Sequence, residues 1–234
     1  MVLRRYVWRW ALVDEPLAPQ REVDALDFAR RHRLRVPEVL AADVTGETVG
    51  DGVPATLMTF VPGRAVGVPD PHRLAEVAAT IHDVEPAGFR YDYSPWCRET
   101  TTGPPASAQR PELWGVAIDR WLHDMPTFRA TFIHRDFHPG NVLWSRGSTT
   151  GVVDWAEACR GPWGCDIAHC RALLIRLGGH GAADRFLVAY EALTGRTLDP
   201  YWEIASVLEH GPSHWNPLNV AESEDRLARA LRRA

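Results

Sequence analysis

The chain has 234 residues, is 45% hydrophobic and carries a formal net charge of -4. It can bury a sizeable core, and the charge makes no broad electrostatic case for nucleic acid. No apolar run approaches a membrane span, and arginines break up the N-terminus where a signal peptide would need an apolar core. The expectation is therefore a cytoplasmic protein with no membrane partner. All 26 basic residues counted as Lys or Arg are arginine, which excludes chemistry that needs a catalytic lysine. Cys159, Cys165, His169 and Cys170 lie close in sequence but contain no C-x-x-C pair, so they read as buried thiols rather than a zinc site.

In chain order, Val2–Trp10 reads as a strand rich in aromatic and β-branched residues. Residues 20–33 read as a helix with Val23 and Leu26 on one face. Short strands follow at 37–41 and 53–60, with Gly46, Gly50 and Gly52 supplying a hairpin turn between them. Val61-Pro62-Gly63 breaks the second strand, and the character of the sequence changes there. Leu74, Val77, Ala78 and Ile81 mark an amphipathic helix over 71–84. A proline-rich loop spans 85–111, and a helix runs from Pro111 to Met125. From Trp163 onward, helices are expected near 164–177, 181–193, 199–210 and 217–233. This pattern predicts an α+β chain of two lobes: a small strand-rich part over 1–61 and a mainly helical part over 62–234.

Within the second part lies Ile133-His134-Arg135-Asp136-Phe137-His138-Pro139-Gly140-Asn141, which contains H-R-D-x-x-x-x-N, the catalytic-loop pattern of kinases. In that pattern Asp136 accepts the proton of an attacking hydroxyl and Asn141 holds a magnesium ion. The apolar run 142–144, a polar turn, and Val152-Val153 then read as a hairpin ending at Asp154. Asn141 and Asp154 would thus sit at neighbouring strand ends, offering oxygen donors to a hard cation. His134 is a candidate second acid or base, though a histidine in such a loop more often orients the backbone around the aspartate. Glu157 could meet a substrate hydroxyl or amine. Trp155, Trp163, Trp202 and Trp215 could wall a cation or pack in the core, and His82 reads as a packed core histidine.

His138-Pro139-Gly140-Asn141, Asp154-Trp155, Gly161-Pro162 and Asp166-Ile167-Ala168, in that order, resemble the aminoglycoside phosphotransferase and choline kinase family of small-molecule kinases. The resemblance implies a protein-kinase-like fold and an ATP- and Mg2+-dependent transfer of the γ-phosphate to a small-molecule hydroxyl (an aminoglycoside, macrolide, choline-like amine or sugar). It makes Asp136 the base and Asn141 and Asp154 the metal ligands, with Asp166 bracing the loop. Glu22 would be the helix acid that pairs with the phosphate-binding cation, and Met58, Thr59, Phe60 and Val61 would meet adenine through backbone groups. Separately, the absence of Ser, Thr and Tyr between Asp154 and Asp166 leaves no phosphorylatable activation loop, against a protein kinase.

Two departures matter. Arg4 stands where the family has lysine; it keeps the charge with a different fork geometry. The two strands and phosphate-covering turn that should precede Arg4 are also missing, so the small lobe reads as truncated. That favours weak ATP binding, slow turnover and self-association through the edge strand Val2–Trp10. The rival reading is a non-catalytic pseudokinase that binds a nucleotide or metabolite.

Overall fold

The structure, a computed structural model, describes residues 1–8, 13–48, 50–96, 101–209 and 217–233. Strands β1 (Val2–Arg5), β2 (Val39–Asp43) and β3 (Ala55–Met58) form an antiparallel sheet in the order β1-β3-β2. β3 is central, and the glycine-bearing turn joins β2 to β3 as expected. β1 is an edge strand but stops at Arg5, short of the expected Trp10. At that point Tyr6 turns inward, is 2% exposed, and donates its hydroxyl to Glu22. Residues 9 and 10 of the expected strand lie outside the described residues.

Helix α1 (Ala18–Arg31) packs on this sheet. It has Pro19 in its first turn and Arg30 and Arg31 in its last, the placements that helix ends favour. Its buried stripe of Ala18, Glu22, Ala25, Leu26 and Ala29 follows helical spacing. One member of that apolar stripe is a glutamate, and its partners define the site described below.

The second body begins with the two-residue strand β4 (Arg64–Ala65), which pairs with the hairpin β6 (Val142–Ser145) and β7 (Ser148–Val152). Helix α2 (Pro71–His82) is capped by Asp70, whose side chain accepts the Arg73 amide at 2.9 Å. Helix α3 (Pro111–His123) stops just ahead of Pro126. Strands β5 (Thr131–Ile133) and β8 (Cys159–Gly161) pair across the catalytic segment; sequence reasoning missed both, as it missed β4. Helix α4 (Trp163–Thr194) is broken at Gly179, where φ is 71° and ψ 176°, so the two expected helices are the two arms of one kinked element. Helices α5 (Pro200–Leu208) and α6 (Pro217–Arg233) complete the body.

One core runs through both parts. Phe28 of α1 meets Phe89 and Phe132 at ring distances of 5.1 and 4.9 Å, and Phe132 stacks on Trp155 at 5.4 Å with 7° between the planes. The Arg35 carbonyl accepts the Val152 amide at 2.8 Å, and the Arg35 guanidinium reaches the Thr149 carbonyl at 2.6 Å. The catalytic hairpin is therefore clamped to the chain that leaves α1.

Gly164, in the first turn of α4, lies so close to Trp202 that an added Cβ would sit 2.3 Å from an indole carbon. Trp202 is 4% exposed and cannot swing into solvent without opening the core. Gly164→Ala is expected to cost about 1–3 kcal/mol, measured as a lower midpoint of denaturant unfolding. An unchanged midpoint would show that Trp202 has room the packing denies it.

Candidate active site

The site is assembled around a buried carboxylate. Asp166 is 0% exposed and sits in the first turn of α4. Its two oxygens accept the amides of His134 at 2.8 Å and Arg135 at 2.7 Å. His82 Nε2 lies 3.1 Å from the same carboxylate, while His82 Nδ1 lies 2.8 Å from the Tyr190 hydroxyl; a proton on Nε2 satisfies both contacts. Burial alone would raise the Asp166 pKa, yet the contacts with His82 and the backbone hold it below the ordinary value. His82 is thus buried, as expected, but it is a polar brace rather than an apolar filler.

This brace holds a strained loop. Arg135 has φ 71°, left-handed backbone that a non-glycine residue seldom adopts. The Arg135 side chain is fixed as well: it donates to Glu209 at 2.7 Å and lies under the Trp96 ring at 3.8 Å. A single 3-10 turn, Pro139–Asn141, closes the loop, with His138 Nδ1 accepting the Gly140 amide at 3.0 Å. A Cβ at Gly140 would fall 2.6 Å from the His138 ring, so glycine is required there.

Asp136 emerges from this loop into a cleft of about 780 Å3 that Arg4, Asp154, Glu157, Trp96 and Glu209 also line. Asn141 Nδ2 donates to its carboxylate at 3.1 Å, and His169 Nε2 lies 3.0 Å from its other oxygen. Burial opposes ionisation of Asp136, but the His169 hydrogen bond and nearby imidazoles bring its pKa down to about 2. His169 entered the sequence reading only as a zinc candidate. The signal for its present place was available: it stands one helical turn after Asp166, on the same face of α4. Among the described residues no group of three or more His, Cys, Asp or Glu could hold a metal, and Cys159, Cys165 and Cys170 are free, buried thiols.

On the far wall Arg4 bridges Glu22 and Asp154, at 2.7 Å to each. Glu22 is 1% exposed; desolvation raises its pKa, and Arg4 and the Tyr6 hydroxyl oppose that rise. Asp154 has φ 68°, a region aspartate tolerates better than most residues. The hairpin joins this wall to the loop, because the Val153 amide donates to the Asn141 carbonyl at 2.9 Å. Arg21 completes the wall, pairing with Glu157 at 3.1 Å and Glu15 at 3.2 Å.

Several expectations need correction. His134 is 0% exposed, and its Nε2 lies 3.0 Å from the Val153 carbonyl. It ties the loop to the residue before Asp154 and does not reach the cleft as an acid or base. Trp155 is 0% exposed and donates to the Val152 carbonyl; it packs in the core and is not a substrate contact. Trp202 is buried and Trp163 stacks on Tyr190 at 5.4 Å. Trp215 lies outside the described residues. Among the described residues the tryptophans that line the cleft are Trp8 and Trp96. In the 58–61 segment, the Thr59 amide and hydroxyl are both committed to Glu38, at 2.9 Å each. Thr59 therefore has no free amide for adenine. Met58 is buried and Phe60 is exposed.

The cleft is lined by seven carboxylates against three guanidiniums, and each of those guanidiniums already holds a carboxylate. Carboxylates outnumber guanidiniums on this lining, with Asp92 paired to Arg160 and Asp136 to His169. The oxygen donors of Asp154 and Asn141 also fit magnesium, which keeps waters and takes few protein ligands.

Residues 2–208 match the model of the phosphotransferase enzyme family (APH). The homoserine kinase of Beijerinckia indica subsp. indica is 27% identical over 135 residues, which cover 51% of this chain and 41% of that protein. Among solved structures, the aminoglycoside phosphotransferase APH(3'')-Id from Streptomyces rimosus, in complex with ADP and streptomycin, superposes with a TM-score of 0.64 at 17% identity, covering 87% of this chain and 85% of that one. The macrolide 2'-phosphotransferase MphH from Brachybacterium faecium gives a TM-score of 0.61 at 18% identity, covering 98% and 83%. With a two-lobed α+β fold of this kind and a family match over nearly its whole length, the chain belongs to the phosphotransferase enzyme family.

Proposed function

We propose that this protein transfers the γ-phosphate of ATP to a hydroxyl of a small, positively charged acceptor. The observation that carries this reading is that Asp136, Asp154 and Arg4 line one cleft, with Arg4 pinned between Glu22 and Asp154. The pairing of β4, just past Val61–Pro62, with the hairpin strand β6 supports a division into two lobes near that point.

Each residue has a distinct task. Asp136, with its pKa near 2, stays ionised throughout the working range but is a weak base. It therefore orients the acceptor hydroxyl and takes its proton late, which suits a loose transition state with little early need for a strong nucleophile. Arg4 would face the phosphates, with Glu22 holding it in place. Asp154 and Asn141 would hold magnesium, which when bound screens the phosphate charge. Asp154 pairs with Arg4 through one oxygen, a contact that metal loading would compete with, whereas Asn141 gives Asp136 only its amide nitrogen and keeps its amide oxygen for a metal. The backbone of Phe60 and Val61 is left to meet adenine. Trp96, lying on Arg135, and Glu157 and Glu209 would form the acceptor side.

The Arg4–Asp154 ion pair, which occupies one of the metal ligands, also favours a second reading, a non-catalytic nucleotide binder. Turnover separates the two. With ATP, Mg2+ and a panel of amino alcohols, aminoglycosides and macrolides, phosphorylated product formed by the parent chain supports the enzyme. Saturable ATP binding with no product from any acceptor supports the binder. Asp136→Asn should lower kcat by roughly a hundred- to ten-thousand-fold with little change in KM for ATP. A loss of only a few-fold would remove Asp136 from the mechanism.

Glu157 gives a pH test. Burial pushes its carboxyl up to about 7, against the pull of Arg21. Below that pH it is neutral and offers an ammonium group no counter-charge; above it, it does. KM for an amine-bearing acceptor should fall about tenfold between pH 6 and pH 8 as the carboxylate forms. Glu157→Gln should flatten that profile. A profile unchanged in the variant would take Glu157 out of acceptor binding.

A further inference from the structure

A second concavity, of about 350 Å3, opens between α4, α5 and α6 and shares no lining residue with the catalytic cleft. Arg171, Arg226, Arg229, Arg232 and Arg233 line it, against Asp184 and Glu203. The carboxylates within reach are all taken. Glu203 holds Arg171 at 2.7 Å and Arg233 at 2.8 Å, and Asp184 holds Arg171 at 3.0 Å. Asp225 is shared between Arg229 and His180, at 3.1 and 2.8 Å, and Glu222 pairs with Arg176 at 3.0 Å.

Two guanidiniums are left over. Among the described residues Arg226 reaches only the neutral Ser206 hydroxyl, at 2.6 Å. Burial pushes its pKa down to about 10, and the attraction of Glu222 does not restore it. Arg232, near the end of α6, has no ion pair among the described residues. Holding an arginine partly desolvated beside four others, without its own carboxylate, is costly unless an anion completes the set. The floor is apolar, formed by Ala168, Ala172, Ile175 and Leu187. The rim includes His180, just after the break in α4 at Gly179.

We propose that this pocket is a binding site for a phosphate-bearing small molecule, separate from the catalytic cleft. Guanidinium forks match the tetrahedral oxygens of phosphate, and two uncompensated charges suit a phosphate monoester. The apolar floor would take the organic part of the ligand. A pocket of this volume is of the size that small ligands fill. A ligand seated there would rest on α4, the helix that carries Asp166 and His169.

The test is a titration of the full chain with inorganic phosphate at constant ionic strength balanced with sodium chloride, read by calorimetry and by thermal shift. Three variants are compared with the parent: Arg232→Gln at the exposed rim, Arg226→Gln within, and Arg4→Gln in the catalytic cleft. The expectation is saturable binding to the parent, weakened about tenfold or more by Arg232→Gln and by Arg226→Gln, and unchanged in Arg4→Gln. Arg232 is on the surface, so its variant remains informative even if Arg226→Gln fails to fold. No saturable binding to the parent, or equal binding in Arg232→Gln, or loss only in Arg4→Gln, would overturn the proposal.

Discussion

The site depends on one buried carboxylate. Asp166 takes the amides of His134 and Arg135 at the point where the backbone turns through the left-handed region. Such a turn at arginine costs on the order of 1–3 kcal/mol, and two hydrogen bonds to an ionised acceptor, each worth about 1.5–3 kcal/mol, are enough to offset it. Asp166 in turn depends on His82, and His82 on Tyr190, so α2, α4 and the loop are bound through a chain of buried polar contacts. Once the loop is held, Asp136 has one direction in which to point, and the first turns of α4 bring His169 to meet it.

The opposite wall follows a similar logic with different partners. A glutamate on the inner stripe of α1 would be a liability in an apolar interface. Here the Tyr6 hydroxyl and the Arg4 guanidinium, both from the edge of the small sheet, compensate it. That arrangement brings a cation from the first strand to Asp154 at the end of the hairpin. The two walls are therefore positioned by separate buried acids, Asp166 and Glu22, each drawing its partners from distant parts of the chain.

Much of this was legible in the sequence because the informative residues are contiguous. Asp136 and Asn141 fall in one loop, Asp154 ends the hairpin that follows, and Asp166 opens the next helix; spacing alone orders them. The pairing of Arg4 with Glu22 was also within reach, since both follow from matching a strand and a helix to the family's plan. Contacts set by tertiary packing were harder to read. Strands β5 and β8 have three residues each and pair across an intervening hairpin, which no local pattern encodes. The burial of His134 and Trp155 depends on what packs over them, and a motif records only that they are present. Arg135 belongs to the motif, yet its partners Glu209 and Trp96 come from α5's end and the proline-rich loop. The Thr59 amide, expected at adenine, is taken by the Glu38 carbonyl in a contact between segments distant in sequence that composition does not reveal.

The central claim is that the loop and the hairpin aim their oxygen donors at one metal-bound phosphate. A crystal structure of the protein with ADP and Mn2+, read by anomalous scattering, tests it most directly. The account predicts a manganese peak about 2.0–2.4 Å from side-chain oxygens of both Asp154 and Asn141, with Arg4 released from Asp154 toward the phosphates. A nucleotide bound without such a peak, or manganese held away from both residues, would contradict it.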